Sequence, residues 1–407
     1  MPMLTTRRNK KDVHYISDVP SHALIDAFEN LRSGTLDCIF PNEVRKKFEG
    51  TQPGTDARFE LYDLRVLDRI LADGDIGLGE DYVAGLWDSD DLSALLYVLL
   101  ENSDAFVSFL NSQQFHKRVT QYAKAKVRAN TLVGSSKNIQ EHYDLGNDFY
   151  QLWLDDTFTY SSALFNGDEG KSLEQAQRDK YRRILDQLAV AEGEDILEIG
   201  CGWGGFAEAA VERGLRVTGV TISEQQYDYA KARLAQNPAG ESAQILFQDY
   251  RKVDGQYGHI VSIGMFEHVG EEYWPTYMEK IAACLKATGK AMIQTIAVSD
   301  DRFSHYRKGS DFVREYIFPG GMLPSEKRFR EVAEQAGLNV VEVFHFGPDY
   351  AITLRKWRQR FEQALGAVRR LGYSESIIRH WRFYLSGCEA SFRVGGVSVM
   401  QVELTKK

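Results

Sequence analysis

Long hydrophobic runs are missing from this chain of 407 residues. No apolar stretch approaches the roughly 20 residues that a membrane-spanning helix needs. The first residues, MPMLTTRRNKKDVHY, also lack the apolar segment of a secretory signal. We therefore expect a cytoplasmic protein whose contact with a membrane is peripheral, on the inner face.

Paired cysteines and an excess of basic charge are missing as well. Cys38, Cys201, Cys284 and Cys388 are scattered and form no CxxC motif, which predicts reduced thiols and no metal site. The net charge of −9 argues against general nucleic-acid binding. An apolar content of 43% supports ordinary packed cores, and the length favours two domains.

Two basic clusters stand out against this acidic balance. The segment 115–128, HKRVTQYAKAKVRA, contains no acidic residue, and a shorter cluster occupies 45–47. Each is either a solvated surface or a contact for anionic lipid headgroups. The basic residues of the two clusters are Lys117, Arg118, Lys124, Lys126, Arg128, Arg45, Lys46 and Lys47.

The chain changes character along its length. Residues 20 to about 115 are mixed, with leucines at helical spacing over 92–100 and a glycine-rich stretch, DGDIGLGEDY, that predicts a turn or loop. From about residue 174, strands alternate with helices. The predicted strands cover 195–200, 215–222, 259–266 and 290–298, and the predicted helices cover 205–214, 223–236 and about 273–286.

This alternation predicts a doubly wound, mostly parallel sheet that binds ligands at the carboxyl ends of its strands. Ser223 is the expected N-cap of the helix over 223–236. Glu267 and His268 directly follow the predicted strand 259–266. A carboxylate and an imidazole are therefore expected to face the ligand crevice.

The glycine-rich loop EIGCGWGG follows the first of these strands. Its spacing fits a dinucleotide fingerprint and also a GxGxG turn, so spacing alone does not choose between ligands. A nicotinamide enzyme needs a carboxylate at the end of the second strand, where this chain reads Thr218 to Ile222 without an acid. The pattern favours S-adenosylmethionine over NAD as the ligand. The alternative is a purely structural role, in which the glycines form a tight turn that binds no ligand.

Together these motifs resemble the cyclopropane-fatty-acyl-phospholipid synthase family, including its mycolic acid cyclopropane synthase branch. The resemblance covers nearly the whole chain and includes HYDLGNDFYQLWLDDTFTYSSALF (142–165), LEIGCGWGGFA (197–207), VTGVTISEQQ (217–226), GMFEHVG (264–270) and FGPDYAITLRKW (346–357). It implies an α/β fold with a class I, Rossmann-like, seven-stranded methyltransferase sheet and a smaller, mainly helical, lipid-facing N-terminal domain. The domains are expected at 1–130 and 131–407, the second being the S-adenosylmethionine-dependent one.

The same resemblance implies the cofactor contacts and the substrate. The substrate is an unsaturated phospholipid of the bilayer, methylated at a cis double bond of its acyl chain. The implied contacts to S-adenosyl-L-methionine are Tyr143, Tyr160, Ser161, Gly200, Gly202, Gly204, Thr221, Gln226, Asp249, Tyr250, Gly264 and Phe266.

The resemblance also implies a base that accepts the proton lost after methyl transfer. In the family this base is a bicarbonate bound by a cysteine, a glutamate, a histidine and a tyrosine. This chain retains Glu267 and Tyr350, but Ser162 replaces the cysteine of YSCAY and Gln294 replaces the histidine of LLHTI. His268 follows Glu267 in the chain. It either takes part in this catalytic site or has only a structural role, in helix capping or core packing. The two replacements are either neutral, or they weaken the base and lead to a methyl-branched or methylene-bearing chain instead of a cyclopropane.

Two other function classes remain open from the sequence. Some N-methyltransferases that act on small amines resemble the same family, and a non-catalytic lipid-binding relative is the second alternative. The N-terminal region and the basic segment favour lipid. The sequence does not specify the acyl length, the double-bond position, the headgroup or the oligomeric state. A homodimer is one candidate for the oligomeric state.

Overall fold

The structure is a computed structural model, which describes residues 19–103 and 145–407. Within these two ranges, no helix is both long enough and apolar enough to cross a membrane. Tyr143, the basic segment 115–128 and the boundary expected at residue 130 lie outside the described residues. The domain division therefore stays a prediction.

The described N-terminal part combines three helices with a small sheet. Its elements are α1 Val19–Glu29, β1 Ser33–Ile39, β2 Arg45–Glu49, β3 Gln52–Leu61, α2 Arg65–Val83, β4 Trp87–Asp88 and α3 Leu92–Glu101. The strand order is β2-β1-β3-β4, with β1 antiparallel to β2 and parallel to β3. Helices hold more residues than strands here, as expected, but the sheet is not among the features predicted from the sequence.

The prediction of a turn or loop at DGDIGLGEDY is wrong for all but its start, because these residues lie within the range of α2 and only Gly74 is non-helical. The helix is kinked at Gly74, where the backbone has φ 62° and ψ −135°. A side chain at Gly79 would collide with Phe312 and Phe383, so the glycine allows α2 to pack closely there. Tertiary packing thus overrides the weak helix propensity of glycine.

The second part begins at residue 145 and contains most of the chain. Its elements in order are α4 Gly146–Gln151, α5 Leu173–Leu188, β5 Asp195–Ile199, α6 Gly205–Val211, β6 Arg216–Thr221, α7 Glu224–Gln236, β7 Ala243–Phe247, β8 Tyr257–Ile263, α8 Phe266–Val269, α9 Trp274–Cys284, β9 Leu285–Val298, α10 Asp300–Tyr306, α11 Phe312–Tyr316, α12 Glu326–Gln335, β10 Leu338–His345, α13 Gly347–Arg370, α14 Glu375–Val394 and β11 Val397–Lys406.

The large sheet has seven strands in the order β10-β11-β9-β8-β5-β6-β7. The pairs from β9 to β7 are parallel, and β11 is antiparallel to both β9 and β10. The predicted fold class is therefore confirmed, as is the N-cap, since the Ser223 hydroxyl accepts the Gln226 N–H. The strand predicted to reach residue 266 ends at Ile263, because Gly264 has a positive φ of 64°.

One hydrophobic core joins the N-terminal part to the C-terminal helices. Helix α14 packs on α2 and α3, and the rings of Tyr82 and Phe383 have centroids 5.9 Å apart. Trp87 is fully buried, with its ring 5.2 Å from that of Phe59. The same core continues into the aromatic wall around Tyr160, so the N-terminal part supports one side of the crevice described next.

Candidate active site

A crevice opens at the carboxyl ends of β5, β6 and β8, between the large sheet and the segment that precedes α5. This is the place that the strand pattern predicts. Of the expected cofactor contacts, the crevice brings together Tyr160, Ser161, Gly200, Gly202, Thr221, Gln226, Asp249, Tyr250 and Gly264.

The glycine turn adopts backbone conformations that favour glycine. Gly200, Gly202 and Gly204 have φ values of 81°, 51° and 82°. A Cβ at Gly202 would meet no atom within 4 Å, so the backbone at this point is open to the crevice. A Cβ at Gly204 would lie 3.1 Å from that of Ala230. Gly204 therefore serves close packing of α6 on α7 and is not part of the crevice lining.

Polar groups at the ends of β6 and β7 are held in place by local hydrogen bonds. The Thr221 hydroxyl donates to Gln226 Oε1 at 2.9 Å. Asp249 accepts from both the backbone and the side chain of Arg251. Burial favours the neutral carboxyl, but these hydrogen bonds and the nearby positive charge together lower its pKa. Tyr250 is buried edge-on against Tyr277, with ring centroids 5.2 Å apart. The geometry suits a ligand with a polar sugar and a flat ring.

Phe266, expected in the same pocket, lies below it. Its ring is fully buried and stacks on Trp274 at 5.2 Å, with Phe329 at 5.0 Å. The reason is that Phe266 begins helix α8 after the turn at Gly264, which directs its side chain into the core on that face of the sheet.

Glu267 is buried at the start of α8, only 6% exposed. Its Oε2 accepts a hydrogen bond from the Thr295 hydroxyl at 2.8 Å, and burial raises the pKa of the carboxyl to about 7. A Cβ at Gly264 would lie 3.9 Å from Glu267 Oε1 and 3.7 Å from the Cβ of Ser161. Glu267 therefore stands beside the inner wall of the crevice, able to hold or release a proton near neutral pH.

His268 lines the crevice next to Phe318, with ring centroids 4.8 Å apart. Burial lowers the pKa of this imidazole to about 4, so the ring is neutral at physiological pH. A neutral imidazole can donate or accept one hydrogen bond but cannot neutralise an anion.

The other three expected catalytic residues are buried around the crevice but are not in its lining. The Ser162 hydroxyl donates to the carbonyl of Ala163 at 3.0 Å, and the ring of Tyr350 packs 4.6 Å from that of Phe392. Gln294 Oε1 accepts from Gln401 Nε2 at 3.0 Å. Among the described residues, none of these three forms a hydrogen bond with Glu267.

Strand geometry explains why Gln294 and Glu267 do not meet. Successive side chains of a strand point to opposite faces. Thr295 faces Glu267, whereas Gln294 faces α5, where Gln401 in turn accepts from Arg183 at 2.6 Å. The grouping of these residues around one anion therefore stays a prediction.

Two residues beside the crevice escaped the sequence analysis. Thr295 orients Glu267, and only the fold reveals this contact. Glu198 lines the crevice at 3% exposure, and its Oε2 has no hydrogen-bond partner among the described residues. Burial raises the pKa of this carboxyl. A signal was available for Glu198, since it is an acid inside the short apolar strand DILEI.

The chain is similar to known lipid-modifying proteins. The family model described as mycolic acid cyclopropane synthetase matches residues 131–402. Tuberculostearic acid methyltransferase UfaA1 of Mycobacterium tuberculosis is 37% identical over 346 residues, which is 83% of this chain and 81% of that protein. The cyclopropane-fatty-acyl-phospholipid synthase of Escherichia coli K12 is 35% identical over 344 residues, 83% of this chain and 85% of that one.

Solved structures show the same architecture. Mycolic acid cyclopropane synthase CmaA1, complexed with SAH and CTAB, matches with a TM-score of 0.62 and 33% identity over 67% of this chain and 98% of that one. Coclaurine N-methyltransferase matches with a TM-score of 0.63 over 81% of this chain and 99% of its own, but at 18% identity the likeness concerns the fold alone.

Proposed function

The chain belongs to the mycolic acid cyclopropane synthetase family of S-adenosylmethionine-dependent methyltransferases, and we propose that it methylates a cis double bond in the acyl chain of an unsaturated phospholipid. One observation carries the proposal: a buried carboxyl, Glu267, stands beside a glycine-turn crevice at the end of β8. The names of the two relatives, a tuberculostearic acid methyltransferase and a cyclopropane-fatty-acyl-phospholipid synthase, support a lipid substrate.

The residues of the crevice fit S-adenosylmethionine. The open turn at Gly202 leaves room for a nucleoside, and the buried carboxyl of Glu198, whose Oε2 has no hydrogen-bond partner among the described residues, suits the cationic end of the molecule. The Thr221 and Gln226 side chains supply polar partners for a ribose, in place of the acid that NAD requires. When bound, S-adenosylmethionine supplies an electrophilic methyl group.

The crevice wall suits chemistry that passes through a cation on the acyl chain. Tyr160, Trp203 and Phe318 line it, and the rings of Phe158 and Trp203 lie 4.3 Å apart. Aromatic side chains exclude water and present the negative face of their π systems, which stabilises a nearby cation. Methyl transfer to an alkene leaves such a carbocation, which must then lose a proton.

Glu267 is the residue we assign to this proton loss. A bicarbonate or an equivalent base would be held by the Glu267 carboxyl through a shared proton, because two bare anions repel each other. A carboxyl with a pKa of about 7 is suited to sharing one. Tyr350, Ser162 and Gln294 would supply neutral hydrogen bonds at most, and neutral His268 would do the same. The proton acceptor is therefore weakly held in this chain.

The cofactor assignment is tested at the glycine turn. Gly202→Val places a side chain where the open backbone faces the crevice, and we expect it to abolish binding of S-adenosylhomocysteine in calorimetry without unfolding the protein. Gly193→Val is the matched control, since Gly193 also has a positive φ, has nothing within 4 Å of its Cβ position and is not in the crevice lining. Normal binding by Gly202→Val would reject the assignment.

We also propose that the protein contacts the membrane surface peripherally through its basic residues. Arg45, Lys46 and Lys47 are paired with Asp37, Glu29 and Glu49, so they are weak candidates. The segment 115–128, which lies outside the described residues, is the stronger one.

Reversing three bases of that segment to glutamate should weaken binding to anionic vesicles, and added salt should weaken the wild type similarly. The bases to reverse are Lys117, Arg118 and Lys124. A control with the same change of charge reverses the exposed residues Lys231, Lys308 and Lys327. Equal vesicle binding by both variants in sedimentation would return the segment to a solvated surface.

The rival substrate class, a small amine, is separated by a direct comparison. Tritiated methyl donor should label unsaturated phospholipid in vesicles and leave soluble amines unlabelled. Label in the amines alone would replace the lipid proposal. Failure of the wild type to bind S-adenosylhomocysteine would revive a non-catalytic lipid-binding role.

A further inference from the structure

Lys180 is a buried amine beside the crevice that the mechanism above does not use. It lies on α5 with a fully buried side chain, and its Nζ makes no ion pair with a described carboxylate. Burying an ammonium group without an adjacent anion is costly, and an apolar residue of similar length would pack at lower cost. The position therefore calls for an explanation other than packing.

The contacts of Lys180 converge on one residue of the crevice wall. Its Nζ donates to Ser161 Oγ and to Gln177 Oε1, both at 2.7 Å. Gln177 Nε2 in turn donates to the Ser161 carbonyl at 2.9 Å. Ser161 is thus held at its side chain and at its backbone by two residues one turn apart on α5.

This arrangement determines what Ser161 can offer a ligand. Its hydroxyl oxygen already accepts from Lys180, so the single O–H is left to donate, and Ser161 lines the crevice. A hydroxyl donor with an ammonium behind it is polarised toward an anion. Burial lowers the pKa of the Lys180 amine to about 7, while the charges of Asp155 and Glu198 favour its charged form.

We propose that Lys180 is a positioning residue that acts through Ser161 to bind a carboxylate-type anion, the carboxylate at the amino-acid end of S-adenosylmethionine. The inference rests on the proposed function, since it assumes that the crevice binds this nucleoside. The free bicarbonate ion has the same planar oxyanion chemistry and is the other possible source of the anion.

Two nucleosides test the proposal, because S-adenosylhomocysteine carries the carboxylate and 5′-methylthioadenosine lacks it. Lys180→Met should weaken S-adenosylhomocysteine binding roughly 10- to 100-fold, the effect of losing a hydrogen bond to a charged group. Binding of 5′-methylthioadenosine should stay within about twofold. Lys171→Met is the matched control, because Lys171 precedes the same helix and contacts Phe165 and Asp179 instead; it should change neither affinity.

The other outcomes also decide. Equal losses for both nucleosides would mean that Lys180 is merely structural, and unchanged binding of both with an unchanged response of turnover to added bicarbonate would overturn the proposal. Unchanged nucleoside binding with an altered dependence of turnover on added bicarbonate would assign the anion to the base instead. If Lys180→Met does not fold, Ser161→Ala must give the same selective loss. A wild type that binds neither nucleoside would reject the proposed function itself.

Discussion

Glu267→Gln is expected to lower turnover at least about a hundredfold while S-adenosylhomocysteine affinity stays within about twofold, since a positioned base contributes about 10²–10⁴-fold. The amide keeps the shape of the side chain and can still accept from Thr295. It cannot share a proton with a bound base, which is the role assigned to the carboxyl. Single-turnover rates and calorimetry separate the two effects.

The pH dependence of turnover gives a second readout of the same carboxyl. Burial raises the pKa of Glu267 to about 7, and a bound anion would raise it further. If the protonated carboxyl holds the base, wild-type turnover should fall as pH rises through and beyond this value. Glu267→Gln, which does not titrate, should lack this limb.

A matched control is available nearby in the fold. Glu403→Gln changes another buried glutamate, which lies on β11, is 2% exposed and is paired with Lys290. It should leave the chemical step intact. Equal loss of turnover in both variants, or full turnover in Glu267→Gln, would remove Glu267 from the reaction.

The product is expected to shift when two of the residues that depart from the family pattern are restored. We expect the wild type to give a methyl-branched or methylene-bearing chain, because Gln294 carries no charge and its side-chain carbonyl oxygen already accepts a hydrogen bond from Gln401. Ser162→Cys with Gln294→His should raise the ratio of cyclopropane to branched product about tenfold or more, since a charged hydrogen bond is worth about 1.4 kcal/mol more than a neutral one.

A deuterated methyl donor distinguishes the routes of proton loss. Ring closure removes a deuteron from the transferred methyl group, so a cyclopropane retains two of the three. Proton loss from a chain carbon leaves an alkene with a branching methyl that retains all three. A methylene product also retains two, and chromatography with mass spectrometry separates it from the ring.

Each restored residue needs its own comparison. Ser162→Cys alone should change the ratio of cyclopropane to branched product less than the double variant does, because the Ser162 hydroxyl already donates its hydrogen bond to the Ala163 carbonyl. Gln401→Met removes the hydrogen-bond donor to Gln294 without adding charge. It therefore shows how much of the product shift comes from breaking the Gln294–Gln401 hydrogen bond and how much comes from the new histidine. Cyclopropane as the sole wild-type product would show that Ser162 and Gln294 are tolerated substitutes.

The features that the sequence predicted correctly rest on neighbours along the chain. The strand–helix alternation after residue 174, the N-cap at Ser223 and the helix that begins at Leu92 all depend on residues within a few positions of one another. The glycine turn belongs to the same class, since positive φ values at Gly200 and Gly202 are a local demand. Consecutive parallel strands then require their carboxyl ends to meet at one edge, which located the crevice.

The features that the sequence predicted wrongly, or did not predict, depend on residues that are far apart in the chain. The glycines of DGDIGLGEDY predict a turn, and only packing against Phe312 and Phe383 turns them into part of α2. The pairing of β1 with β3 spans the intervening β2 hairpin, and such contacts leave no periodic signal in either strand. Gly204 and Phe266 fit the motif spacing but face a helix and a core.

By itself, the sequence determined the fold class, the glycine turn and the presence of a carboxyl at the end of β8, because each is set by local conformation and hydrophobic pattern. The tertiary structure alone decided how that carboxyl behaves, since its pKa depends on burial and on Thr295, 28 residues away. It also decided that Gln294 turns toward α5 and that Lys180 stands behind Ser161. Direction, burial and partnership of polar groups arise only when separate segments pack together.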